Sequence, residues 1–455
     1  MKVSYNVFPR LAVILLMAVF ASPALAKELF VSPSGDDSVT YNDNSIDNPW
    51  RTVTKGIFNL KAGDVLQIRG GTYYPTAPLL IRSDYSNKTY GGDDSFTMNA
   101  ETGTSTSNKV IVQGYRDEEV TIDLSRSSSP TFIEIDDKDY WEFRDFKVIN
   151  GGAIFVVGKD GPANHIVFDS LELRSTSGGD NSGTIKITSS YADHITINNC
   201  IIYGPGTGSS VHLNTSAIFA RLLNNLTITN NLIANAPYGI YYKHRTEVDE
   251  DTTDIQIRNN IIDNTSRAAA QLETVGAVIA NNIVTPKNAS MKFNEAAGSP
   301  GGDKNLILHN TFGVKLELRW DTQDGDPLPG ALENTVKNNI FLAPLDIHWY
   351  SDTNHFTTSD YNLFSGEYAV GENRLTYSLS EWQNHSGQDR NSLEGAASMS
   401  GQLSTSPADY RLVDFSIGYK AASDGRNMGA DVDTVGPSAL SSVIARPEAP
   451  TLSID

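Results

Sequence analysis

Cysteine is nearly absent: Cys200 stands alone in 455 residues, so no internal disulfide can hold the fold. Set in an apolar segment, it reads as a core residue. Cations are scarce too, with 35 Lys and Arg against 54 Asp and Glu and a formal net charge of −19. Such acidity argues against a general binder of nucleic acid or of anionic membranes, and any anionic ligand must be held by a local patch. Beyond the run LAVILLMAVF (11–20) no apolar stretch approaches the ~20 residues that span a bilayer. A sustained helical period is missing as well.

What is present starts with that run. Lys2 and Arg10 precede it, and ASPALA follows with small residues at Ala24 and Ala26, the layout of a secretory signal peptide over 1–26. The expectation is a secreted or periplasmic protein beginning at Lys27.

One phrase then recurs: ITINNCII (195–202), ITNNLI (228–233), IRNNII (257–262), IANNIV (279–284) and VKNNIF (336–341), with ILHNTF (307–312) as a degenerate copy. Counting the second Asn of each pair at 199, 231, 260, 282, 310 and 339 gives spacings of 32, 29, 22, 28 and 29. Short β-branched strands broken by Asn and Gly at that period match the coils of a parallel β-solenoid, an all-β fold. Stacking places each Asn above the last, where side-chain amides can bond along a ladder, so these residues are structural. Ahead of the coils, Val53, Ile57 and Leu60 mark a short amphipathic helix over 51–61, suited to cap the first coil. SDGRNMGADVDTVG (423–436) reads as closing the last coil, and 437–455 as a tail. One elongated catalytic domain, 27–436, follows.

LFVSPSGDD, NPWRTVTKGIFNLKAGDVLQIRGGTYY, the NN coils and NMGAD together resemble the right-handed parallel β-helix proteins that act on polysaccharides, above all the alginate- and pectate-lyase-like polysaccharide lyases. The resemblance covers nearly all of the mature chain. It implies a single-stranded right-handed parallel β-helix. For activity it implies less, since lyases, epimerases and some hydrolases share the opening motif.

Side chains alternate across a strand, so the apolar parity marks the interior. With Ile185, Ile187, Ile218, Ile240, Met291, Phe293, Leu316, Leu318 and Ile347 inward, an ungapped offset of 29 sets Tyr238–Lys243 against Arg267–Leu272. The outward residues are then Lys186; Phe219 and Arg221; Tyr241, Lys243 and Arg245; Ala270 and Leu272; Lys292 and Asn294; Lys315, Glu317 and Arg319; Asp346 and His348. Cations one coil apart, ~4.8 Å per step, form a track for a polyanion, and Ala270 leaves room for a sugar ring.

Cutting a polyuronate by β-elimination needs a base for the C5 proton, a cation for the enolate-like charge and an acid for the departing oxygen. Lys243 is the expected base, or else the carboxylate clamp, its pKa depressed by neighbouring cations. Tyr241 or His348 supplies the acid, and Arg245, Arg221 and Arg319 position carboxylates through their planar guanidinium groups. Lys292, Asn294, Glu317, His244 and Arg267 complete the expected substrate contacts. Many β-helix lyases hold calcium on clustered strand carboxylates. No such cluster appears beside Lys243, and TEVDEDTTD (246–254) reads as a solvated loop. The expectation is a Lys/Arg mechanism with no metal ligands assigned and no required cofactor, calcium left open. The expected partner is an anionic polysaccharide, most of all alginate, bound by a monomer. The rival readings are a glycoside hydrolase using Glu317 and Asp346, whose one-coil separation approaches the ~5–5.5 Å of retaining pairs, a C5-epimerase, or a non-catalytic glycan-binding solenoid.

Overall fold

The computed structural model describes residues 26–82, 101–188, 192–243, 254–293, 302–319, 333–348, 358–372 and 375–438. The expected signal peptide, apart from its last residue, and nearly all of the expected tail lie outside them. No helix among the described residues is long and apolar enough to cross a membrane.

Each coil lays down short parallel strands in three ladders. The first ladder runs through twelve strands from Glu28–Val31 to Thr358–Asp360. The second begins at Gly71–Tyr73 and ends at Leu393–Glu394, and the third runs from Leu79–Ile81 to Val370–Glu372. The two 12-residue strands Leu232–Lys243 and Ile261–Leu272 pass through both the second and third ladders and join them into one sheet. Among the described residues the strands are parallel, except where Val370–Glu372 pairs with Leu375–Tyr377.

Register explains why this sequence stacks. Ile197, Ile228, Ile257, Ile279, Ile307 and Val336 are successive Cα partners along the first ladder, all pointing into the core. A β-branched side chain has few rotamers and packs well on its copy one coil away. Burying each contributes about 1.5–3 kcal/mol. The expected inward residues Ile185, Ile187, Ile218, Ile240, Met291, Phe293, Leu316 and Leu318 are indeed buried.

Between the first and second ladders the Asn pair turns the chain. The first Asn of each pair is left-handed, with φ of 57°, 56°, 57° and 62° at Asn230, Asn259, Asn281 and Asn338. Asn tolerates that region because its short polar side chain bonds locally. The second Asn points inward and forms the ladder: Asn231 donates to Asn260 (3.0 Å), Asn260 to Asn282 (3.0 Å), Asn282 to Asn310 (3.0 Å), Asn310 to Asn339 (3.1 Å) and Asn339 to Asn362 (3.1 Å). One position departs from expectation. Asn199 is the outer, left-handed residue (φ 54°), and Cys200 holds the ladder position, its N–H donating to Asn231 at 2.8 Å. Reading NNC in phase with TNN (229–231), rather than counting the second Asn, gives the right alignment.

The helix expected near 51–61 spans Val53–Phe58 and packs Val53, Ile57 and Phe58 with Val31 and Leu66 of the first strands. A second helix, Leu379–Ser386, was not expected. A Ser378–Glu381 capping box opens it, Gly387 (φ 73°) ends it, and Leu379 and Trp382 join the core.

The C-terminal segment corrects another expectation. Instead of closing the last coil, it runs back along the second ladder: the N–H of Gly429 donates to Asn338 O, that of Asp431 to Asn281 Oδ1, that of Gly436 to Asn259 O and that of Ser438 to Asn199 Oδ1. It covers an outward row, Leu232, Ile261, Ile283, Ile340 and Leu363, with Tyr410, Leu412, Met428, Val432 and Val435.

Candidate functional site

On the third ladder the outward row is fixed by register. Val156, Lys186, Phe219, Tyr241, Gln271, Lys292, Glu317 and Asp346 are successive Cα partners. The expected alignment slips at one coil. Between Ala236/Thr265 and Tyr238/Ala268 the strand Ile261–Leu272 gains one residue, so Gln271 faces Tyr241 while Ala270 and Leu272 are fully buried in the core. A bulge of one residue exchanges inside for outside along the rest of the strand. The gap proposed at Ala270 is therefore absent, and Glu273 shares the outward parity of Gln271.

At the centre sit three rings. Tyr241 lies 4.7 Å from Tyr238, stacked, and 5.9 Å from Phe219, edge-on, and these rings close over Ala268. Burial, then the nearby Glu273 carboxylate, raises the Tyr241 hydroxyl well above the ordinary tyrosine range, so it keeps its proton. The Lys243 ammonium stands 4.8 Å over the Tyr241 ring and donates to Asn181 Oδ1 at 2.7 Å. Arg221 is its register partner one coil earlier. Exposed Arg267, on the bulge, reaches over Tyr238 at 5.8 Å.

A wall beside Lys243 comes from two loops that sequence reasoning did not use. Asp180 accepts from Asn214 Nδ2 (2.7 Å) and from Asn181 Nδ2 (3.0 Å), and His212 Nδ1 is 3.8 Å away. The Asn214 hydrogen bond chiefly holds the Asp180 carboxyl below its usual range.

Two coils before Tyr241, Lys186 is half-buried between Val156 and Phe219. Burial first, and then the Lys159 charge, pull its pKa below the ordinary lysine value. Sequence parity had put Lys186 on this face without a role; its burial beside another cation was not visible in the sequence.

Two coils further on is an acidic cluster that the sequence reading also missed. Glu134, Asp136 and Asp160 bring carboxylate oxygens within 4.8 Å of one another. Arg82 stands among them, at 3.0 Å from Glu134, 3.5 Å from Asp136 and 2.9 Å from Asp160, and Lys159 reaches Glu134 at 3.2 Å. Asp136 is wholly buried, and burial raises its pKa. Three hard oxygen donors fit a cation such as calcium in kind, in the space that Arg82 now takes.

Toward the other end the row is neutralised within itself. Lys292 lies 3.9 Å from Glu317, and Lys315 is 2.6 Å from Asp346. Among the described side chains the cationic track therefore runs from Lys186 to Lys243, and Glu317 and Asp346, the pair a hydrolase would use, each have a lysine beside them. Arg319 and His348 are Cα partners at the ends of their strands. His244, Arg245 and Asn294 lie outside the described residues.

This arrangement supplies a lysine easily made neutral, a protonated tyrosine, fixed cations and a packed cluster of three rings, a set able to exchange protons beside an anionic group. Comparisons with known proteins agree on the fold. Residues 131–312 match the family described as right handed beta helix region. Pectate lyase PEL9 of Emericella nidulans is 32% identical over 153 residues, 32% of this chain and 34% of that protein, so the match spans about a third of that relative's length. The crystal structure of pectate lyase Pel9A superposes with a TM-score of 0.52 at 13% identity, covering 89% of this chain and 96% of that one. The chain is a right-handed parallel β-helix protein, similar to polysaccharide lyases built on that fold.

Proposed function

We propose that this protein cleaves an anionic, uronate-containing polysaccharide by β-elimination on the outward face of the third ladder. The observation that carries the reading is Lys186: a half-buried lysine of lowered pKa, in one continuous row with Phe219 and Tyr241, whose strands carry Arg221 and Lys243 two residues further on. Lys186 takes the C5 proton, in place of the Lys243 first expected for that step. Lys243 and Arg221 hold the carboxylate whose enolate-like charge develops as the proton leaves. Tyr241 supplies a proton toward the departing glycosidic oxygen, and the ring cluster bears the sugar face. When calcium is bound, Glu134, Asp136 and Asp160 would hold it, and it would add charge neutralisation for a neighbouring uronate. The pectate lyase relative puts polygalacturonate ahead of alginate as substrate.

The test is to offer purified full-length protein polygalacturonate, alginate and a sulfated glycan, with and without chelator, while following ultraviolet absorbance and reducing ends together. Absorbance rising in step with new ends on polygalacturonate supports the proposal. Ends without absorbance mean hydrolysis, C5 inversion without new ends means epimerisation, and saturable binding without turnover means a lectin-like solenoid; each would overturn it.

A further inference from the structure

On the C-terminal segment, away from the third ladder, Phe415 is 92% exposed with φ 64°. Left-handed backbone is unusual for a bulky residue, and Phe415 is not at a coil corner. Two turns pin it there, Ser416 N–H to Val413 O (3.1 Å) and Tyr419 N–H to Ser416 O (3.0 Å). The Tyr419 ring lies 5.6 Å from the Phe415 ring, and the Lys420 ammonium is 5.2 Å over Tyr419. Lys420 in turn lines a cavity of about 330 Å³ with His309, Arg411, Arg426, Asn427 and Asp431 among its walls. Asp433 fixes Arg411 (3.0 Å) and Asp424 fixes Arg426 (2.7 Å), whereas Lys420 has no carboxylate partner among the described residues. Single exposed apolar side chains are ordinary on a surface. A pinned ring in strained backbone, beside a second ring, an uncommitted cation and a cavity with both polar and apolar walls, has the parts of a sugar-acid site.

We infer that Phe415, Tyr419 and Lys420 form a second, non-catalytic glycan site that binds a uronate residue of the polymer. The choice of ligand rests on the function proposed above. The apolar face of the sugar ring lies against Phe415 and Tyr419, its carboxylate meets Lys420, and hydroxyls reach Asn427 and Arg426 at the cavity mouth. A solenoid with sites on two of its ladders stays on a long polymer while one site turns over.

Affinity electrophoresis of the full-length protein in gels containing polygalacturonate reads this directly. The double variant Phe415→Ala/Lys420→Ala is expected to lose retardation by about tenfold in apparent affinity, with turnover of short galacturonate oligomers unchanged. Lys186→Met is expected to do the reverse, keeping most retardation and losing turnover. Should wild type bind through Phe415 and Lys420 yet cleave no polyuronate, the proposed reaction fails and this site stands. Unchanged retardation in the double variant, its thermal unfolding matching wild type, would overturn the site. So would a fall in sedimentation mass on Phe415→Ala, which would make the ring a contact between copies of this chain.

Discussion

Two outward rows run along this solenoid. Leu232, Ile261, Ile283, Ile340 and Leu363 point away from the core on the second ladder, yet they are buried because the C-terminal segment lies on them. Lys186, Gln271 and Lys292 point away from the core on the third ladder and stay half-buried, with Tyr241 in the same row packed against Tyr238 and Phe219. Facing outward in a coil does not mean facing solvent. What separates the rows is residue type: the C-terminal segment covers the aliphatic one, whereas Lys186, Gln271 and Lys292 stay partly exposed, where the proposed reaction would use them.

The sharpest test of that contrast is Lys186→Met. Loss of a proton-transfer group should lower turnover about 10²–10⁴-fold, with thermal unfolding nearly unchanged. Next is Ile261→Ala in the covered row, expected to cost about 2–4 kcal/mol of stability while turnover per folded molecule stays constant; denaturant unfolding with a parallel assay reads both. Asn282→Ala, inside the turn between the first and second ladders, strands the Asn260 N–H and the Ile257 carbonyl it now satisfies at 2.9 and 2.8 Å. About 1–3 kcal/mol should be lost, again measured by denaturant unfolding. Lys243→Ala should raise KM about tenfold through one lost charge-assisted contact with the substrate carboxylate, with a smaller change in kcat. The rate should also depend on pH in a definite direction. Because the Lys186 pKa is lowered, its neutral form grows in below the pH at which an ordinary lysine deprotonates. Activity therefore rises with pH through that titration, and a rate falling with pH over the same interval would remove Lys186 as base.

The solenoid was legible because its signal is local and repeated. Apolar parity and the Asn pairs recur along the coils from residue 195 onward, so register could be counted there. Counting failed where one residue broke the rhythm. Ser266 and Arg267 hold the bulge that exchanged Ala270 for Gln271, and nothing in Thr-Ser-Arg-Ala-Ala-Ala marks an extra residue without its neighbour in three dimensions. Cys200 misled for the opposite reason, since Asn198 and Asn199 imitate the pair while the ladder position has passed to the cysteine, whose backbone N–H meets Asn231. The carboxylates Glu134, Asp136 and Asp160 precede the NN coils, where no repeated phrase aligns one strand with the next. The lowered pKa of Lys186 depends on burial and on Lys159, contacts between coils rather than within one. The path of the C-terminal segment was hidden because its partners, from Asn338 back to Asn199, lie 85 to 239 residues away in the chain.

That returning segment also bears on how the molecule comes apart. In a simple solenoid each coil answers only to its neighbours, and unfolding can peel inward from an end. Here the residues after Leu393 clasp coils as far back as Asn199, so the terminal coils cannot fray until the clasp lets go. The half of the molecule carrying Tyr241 and Lys243 should thus melt as one cooperative block, whereas the coils before Asn199 are free to loosen on their own.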